Sequence, residues 1–173
     1  MAISVDQFRD TLRMFPAGVT VVTTQTADGV RHGMTVSSFA SVSADPPLIS
    51  IAIDRQTTMS NLLLSQTDVF AVNILAEDQE ELSGRFAFVK DEDRFAVGDW
   101  DTAVTGAPVL RNALTWLDCK VHFRQQAGSH NIFIGKVMQS DVVRPDDAPL
   151  LYWNRNYRFV KPLPPSKPDP KKS

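Results

Sequence analysis

Residues 31–53, RHGMTVSSFASVSADPPLISIAI, decide how this chain folds. Over residues 34–43 side-chain character alternates. Met34, Val36, Ser38, Ala40 and Val42 share one side, and Thr35, Ser37, Phe39, Ser41 and Ser43 the other, the period-two pattern of a half-buried strand. Asp45-Pro46-Pro47 then interrupts the pairing, because proline fixes φ and restricts the residue before it. An apolar run resumes over residues 48–53. The reading is two strands joined at a proline corner. The polar side of the first carries small hydroxyls in place of charges. Such a surface lets a flat ligand approach the backbone while hydroxyls and N–H groups donate to its oxygens.

The other segments supply the rest of a mainly β fold. Val5, Phe8, Leu12 and Phe15 recur at helical spacing, with Ser4 or Asp6 as cap and Pro16 and Gly18 as the stop. Residues 19–24 read as a β-branched strand, and Ala27-Asp28-Gly29 as a hairpin turn into the central stretch. Met59 to Leu64 is apolar at helical spacing, with Thr57 or Thr58 as its cap. A helix start offers unpaired N–H groups that suit a phosphate, and an ordinary cap has the same residues. Residues 69–75 predict a strand and 77–88 a helix whose acidic start suits its dipole. In that helix Arg85 is either a phosphate partner or a surface cation. Residues 116–124 alternate, Leu117, Cys119, Val121 and Phe123 inward and Trp116, Asp118, Lys120, His122 and Arg124 towards water. Ala127-Gly128-Ser129 turns into a strand over 131–139, and 152–159 predicts a last short strand. Six or more strands with few helices predict an antiparallel barrel that closes to remove its edges. The 161–173 tail, with five prolines and four lysines, is expected to be disordered.

Composition narrows the class. At 173 residues, 43% hydrophobic and 22% charged, the chain is expected to form one globular domain over 1–160. A net charge of −2 gives no electrostatic reason to expect nucleic acid or an acidic membrane. No signal sequence or apolar run of membrane-spanning length is present, so the cytoplasm is the expected location. The lone Cys119 reads as a buried packing residue, with a reactive thiol as the alternative. His32, His122 and His130 have no zinc-ligand spacing, and neither a G-x-G-x-x-G fingerprint nor a P-loop occurs. Redox chemistry would come from a bound organic cofactor.

GMTVSSFASVSADPP, preceded by PAGVTVVTT and followed by AIDRQTTMSNL, resembles the flavin reductase-like family of FMN-binding split-barrel proteins, which includes reductase components of two-component flavin-dependent monooxygenases. FAVNIL (70–75), LSGRF (82–86), the RF-x₄-W run (94–100), GAPVL (106–110), LDCKV (117–121) and AGSHNIFIGKV (127–137) extend the likeness over residues 8–160. The resemblance implies an antiparallel split β-barrel and a homodimer. It implies a flavin reductase that reduces FMN or FAD with NADH or NADPH and hands reduced flavin to a monooxygenase. A flavin-binding electron carrier, or a reductase that keeps its flavin and serves another acceptor, is the alternative. By motif position, Thr35, Val36, Ser37 and Ser38 would line the isoalloxazine and ribityl chain. Ala52, Ile53, Asp54, Thr57 and Thr58 would continue towards the phosphate, and Ser83, Gly84, Arg85 and Phe86 would close the pocket.

His130 holds the histidine place of the family's A-G-D-H-x-I-F-x-G motif and would help the nicotinamide stack on the flavin. A turn residue bonded to its own loop is the alternative. Two departures stand out. Ser129 occupies the place of a common aspartate, and Arg155 the place of glycine in Y-x-x-G-x-Y, as either a cation near the nucleotide or a different turn.

Overall fold

The computed structural model describes residues 3–89 and 93–161. The disorder expected for the tail falls on residues 162–173, outside the described ones. Helix α1, Val5–Leu12, is capped by Ser4 in a reciprocal capping box with Gln7. Strands β1 (Ala17–Gly18), β2 (Thr20–Gln25) and β3 (Arg31–Val36) follow, the last two joined at the predicted turn. There Gly29 has φ 86, the left-handed region open to glycine. Next come β4 (Ala40–Ser43), β5 (Leu48–Asp54), α2 (Thr58–Ser65), β6 (Val69–Ile74) and α3 (Glu80–Phe88). After a 3₁₀ turn at Arg94–Ala96 come β7 (Trp100–Thr102), β8 (Pro108–Leu110), β9 (Thr115–Ala127), β10 (His130–Val142), β11 (Leu151–Trp153) and β12 (Asn156–Arg158).

Seven strands form one antiparallel sheet in the order β3-β2-β6-β9-β10-β5-β4. Its two edges, β3 and β4, are consecutive in the chain and separated only by Ser37, Ser38 and Phe39. Six strand spacings would part the edges of a flat sheet by about 29 Å. The link from Val36 to Ala40 spans at most about 14 Å. The sheet therefore curls until its edges approach each other. Residues 34–43 are thus two strands with different partners, β3 on β2 and β4 on β5, in place of the single alternating strand expected. The alternation fails where the pairing changes, and Val42, expected inward, is 52% exposed.

The concave side holds a core of Val22, Val36, Ile51, Ile53, Phe70 and Phe133, onto which α2 lays Met59 and Leu63. Close strand approach is built in at Gly135. A Cβ there would lie 2.4 Å from Phe70 Cζ, and the β9–β10 register shifts beside it. On the other side α3 covers β2 with Leu82 and Phe86 over Val19 and Val21. Residues 100–110 cover the rest, and that cover corrects the expected wet side of β9. Trp116 and Asp118 are buried, and the Asp118 carboxylate accepts from Thr105 N at 2.7 Å and from the Thr105 hydroxyl. Phe123, expected inward, is exposed because β9 runs on beyond the core.

Further boundaries differ. Helix α3 starts at Glu80, three residues late, and Asp78, which precedes it, pairs with Arg144. The last short strand is a hairpin, β11 and β12. Helix α1 forms as expected, yet none of its residues is buried. Cys119 is fully buried, and burial together with the adjacent Asp118 pushes its thiol up to about 12.

Candidate active site

The curl brings Ser37, Ser38, Ala52, Asp54, Thr57, Thr58 and His130, singled out from the sequence, to one rim. Ser38 crosses from the β3–β4 link to β5, where its hydroxyl donates to Ala52 O at 2.7 Å and accepts from Ala52 N at 3.0 Å. It thereby supplies Ala52 with the partner that a neighbouring strand would give. Two residues further along β5, Asp54 stands directly opposite His130, the first residue of β10. Opposed residues on antiparallel strands have Cβ atoms about 5 Å apart.

The corner after β5 is built from its own side chains. Asp54 Oδ1 accepts from Gln56 N at 2.8 Å, and Asp54 O accepts from the Thr57 hydroxyl at 2.8 Å. Thr57 is the cap of α2, its Oγ1 accepting from Ser60 N. The N–H groups of Thr58 and Met59 have no acceptor among the described residues, as the first turn of a helix dictates. Across the rim, the N–H groups of Ser37, Ser38 and Phe39 likewise have none, since neither sheet edge pairs with the link. Ser37 and Thr58 are exposed, and their hydroxyls form no hydrogen bond among the described residues. Two sets of unspent donors thus border a floor of the half-buried Phe39 and Ala52, suited to a flat ligand with carbonyl and phosphate oxygens.

Other predicted residues support the rim without opening onto it by their side chains. Thr35 donates its hydroxyl to Ser83 O at 2.7 Å. Ser83 is fully buried, and its own hydroxyl lies 2.9 Å from Tyr157 Oη. Val36, Ile53 and Phe86 are core side chains, leaving their backbone to the site. Gly84, on α3, has open space where a Cβ would stand. Arg85 is committed to the loop beyond its helix, with Nη2 donating to Asp93 O at 2.7 Å and Nε to Arg94 O at 3.3 Å. Arg94 returns the tie, donating to Val89 O at 2.6 Å and Gly33 O at 2.7 Å. The phosphate alternative for Arg85 thus competes with these carbonyls.

His130 is exposed, with Nδ1 3.0 Å from Ser129 Oγ. Arg55 N donates to Ser129 O at 3.0 Å, fastening the β5–α2 corner to the turn before His130. Beneath it lies a pair that sequence reading missed. Asn131, 4% exposed, donates to the buried Ser60 hydroxyl at 2.9 Å and ties β10 to the first turn of α2. Tyr157 and Arg94 were missed as well, although both stand inside recognised motifs. Arg155 has φ 64 in the β11–β12 turn and Asn154 φ 49, so the turn conformation accounts for glycine at this place. A separate shallow concavity of about 550 Å³, between Arg111, Trp116 and Asp141, shares no residue with this rim.

The sequence model of the family described as "Flavin reductase like domain" matches residues 12–161. A flavin reductase of Pseudomonas putida is 39% identical over 151 residues, covering 87% of this chain and 88% of that protein. The reductase component of an FADH(2)-dependent resorcinol hydroxylase from Rhizobium sp. (strain MTP-10005) is 40% identical, covering 90% and 87%. Among solved structures, the NADH:FAD oxidoreductase SgcE6 of Streptomyces globisporus C-1027, in complex with NAD and FAD fragments, superposes with a TM-score of 0.85. It is 32% identical, over 94% of this chain and 98% of that one.

Proposed function

The chain belongs to the flavin reductase like domain family, and from that premise we propose how its rim residues divide the work. The protein is an NAD(P)H-dependent flavin reductase that supplies reduced flavin to a separate monooxygenase component. In this reading the curled sheet is a split barrel within one domain over residues 1–160, working in the cytoplasm on free FMN or FAD. When bound, the flavin supplies the hydride-accepting ring. The dinucleotide would supply the hydride, and the chain binds and orients the two.

The observation that carries this reading is the pairing of unspent donors on the two banks of one apolar floor. The N–H groups of residues 37–39 and the Ser37 hydroxyl hold the oxygen-rich edge of the isoalloxazine. The Thr58 and Met59 N–H groups, with the positive end of the α2 dipole, hold the phosphate. Ser38, spent on Ala52, keeps the two banks at a fixed separation. Asn131 and Ser60 fix the helix start against the strand that carries His130. His130 lies beside the open face and orients the nicotinamide. Thr35, Ser83 and Tyr157 form the support behind the floor. Exposure of Ser37, Ser38 and Thr58 suits a flavin that enters and leaves as a substrate.

A homodimer completes the reading. Helix α1 presents Val5, Phe8 and Leu12 to solvent, each more than half exposed, and a second copy would cover that stripe. The test of function is direct. Purified protein mixed with NADH or NADPH and each flavin is expected to speed the loss of absorbance at 340 nm, and gel filtration is expected to strip the flavin. Absence of nucleotide oxidation with all four pairs rejects the reductase. Turnover with flavin retained on the column favours the alternative of a tightly held cofactor.

A further inference from the structure

Arg55 follows Asp54 at the end of β5, exposed and one residue from the position opposite His130. Its backbone N–H is held by Ser129 O at 3.0 Å, and Nη1 lies 3.5 Å from Gly128 O, so the side chain leans towards the turn that begins β10. Among the described residues no acid neutralises it. Asp54 directs Oδ1 to Gln56 N, and residue 129 is a neutral serine whose hydroxyl serves His130. Nε and Nη2 of Arg55 have no acceptor among the described residues, and Arg55 forms no ion pair among them. A guanidinium with two unspent donors matches two oxygens of a phosphate.

From this placement we infer that Arg55 binds a phosphate of the pyridine dinucleotide, an inference that rests on the reductase reading and names a further ligand-binding residue of the same site. The direction of the side chain separates this role from the flavin phosphate. Arg55 leans towards the turn carrying His130, whereas the unspent N–H groups of α2 belong to Thr58 and Met59. Two sources offer the same group: the pyrophosphate common to NADH and NADPH, and the 2′-phosphate of NADPH alone.

The test compares Arg55→Ala and Arg55→Lys with the unaltered protein, by steady-state kinetics and by calorimetric titration with NAD⁺, NADP⁺, FMN and riboflavin. Arg55→Ala is expected to raise the KM and Kd for the dinucleotide about tenfold, the effect of losing one hydrogen bond to a charged group. Flavin affinity is expected to stay put, and Arg55→Lys to recover part of the loss through its charge. An equal loss with both dinucleotides identifies the pyrophosphate, and a loss with NADP(H) alone identifies the 2′-phosphate. Ser129→Asp, which sets a carboxylate beside the guanidinium, is expected to weaken dinucleotide binding too. Unchanged dinucleotide affinity in Arg55→Ala overturns the inference. So does a fall in FMN affinity with dinucleotide and riboflavin binding intact, which gives Arg55 to the flavin phosphate. If the unaltered protein oxidises neither dinucleotide, the reductase reading fails by itself, while the titrations still decide the role of Arg55.

Discussion

Arg155 sits in the β11–β12 turn at φ 64, a backbone conformation that favours glycine. Its departure from glycine was visible in the sequence, but whether it placed a cation or reshaped a turn depended on φ. At φ 64 an L side chain is strained by about 1–2 kcal/mol, offset in part by the freedom that glycine would have unfolded. Arg155→Gly is therefore expected to raise unfolding free energy by up to about 1 kcal/mol in urea titrations, with kinetics unchanged. A loss of nucleotide affinity would instead give the side chain a binding role. Thr35 has the opposite history. It was read as a ligand contact by motif position, and its hydroxyl proves to be spent on Ser83 O. Two residues on, the Ser37 hydroxyl has no partner among the described residues, so the proposed site relies on the side chain of residue 37 and needs only the backbone of residue 35.

Segments between elements are held by partners that lie far away in the chain. Before helix α3, Asp78 is held by Arg144, whose Nη1 and Nη2 reach the carboxylate at 2.9 and 3.0 Å. Hydrogen bonds from Arg144 keep the Asp78 carboxyl below its ordinary value of 3.8. A carboxylate with a depressed folded value stabilises the fold above its unfolded value and loses that contribution as pH falls through the folded one. Arg144→Ala is thus expected to be less stable than the parent at neutral pH, with the difference shrinking below about pH 3.8. The effect is small, since Asp78 is largely exposed. Helix α1 poses the converse case. Its apolar stripe was legible from spacing alone, but spacing does not say what the stripe meets. Among the described residues nothing buries it. Phe8→Glu is expected to yield a monomer by light scattering with circular dichroism unchanged, and a dimer of undiminished affinity would move the interface elsewhere.

For the molecule as a whole, the decisive quantity is the three-residue link between two strands at opposite edges of a seven-stranded sheet. It forces the curl and sets Ser38 across the seam onto Ala52, so the link that bends the sheet is also one bank of the proposed site. Inserting two glycines after Ser38 is expected to leave the fold intact, because loop closure changes slowly with length. Flavin affinity should fall about tenfold or more, the effect of losing two or three hydrogen bonds at about 0.5–1.5 kcal/mol each. Unaltered flavin affinity would show that the banks do not act together.

The sequence by itself determined the mainly β class, a threonine cap at residue 57 or 58, the turn at residues 27–29 and, through ordered motifs, the family and its reaction. Those properties rest on local backbone preferences and on residue identity, which a linear chain displays. Only the tertiary structure decided that residues 34–43 divide between two sheet edges and that Trp116 and Asp118 are buried. It alone joined Asn131 to Ser60 and set Arg55 against the turn before His130. Pairing partners and coverage are properties of segments distant in sequence, and a period-two pattern records that a face is buried without recording by what.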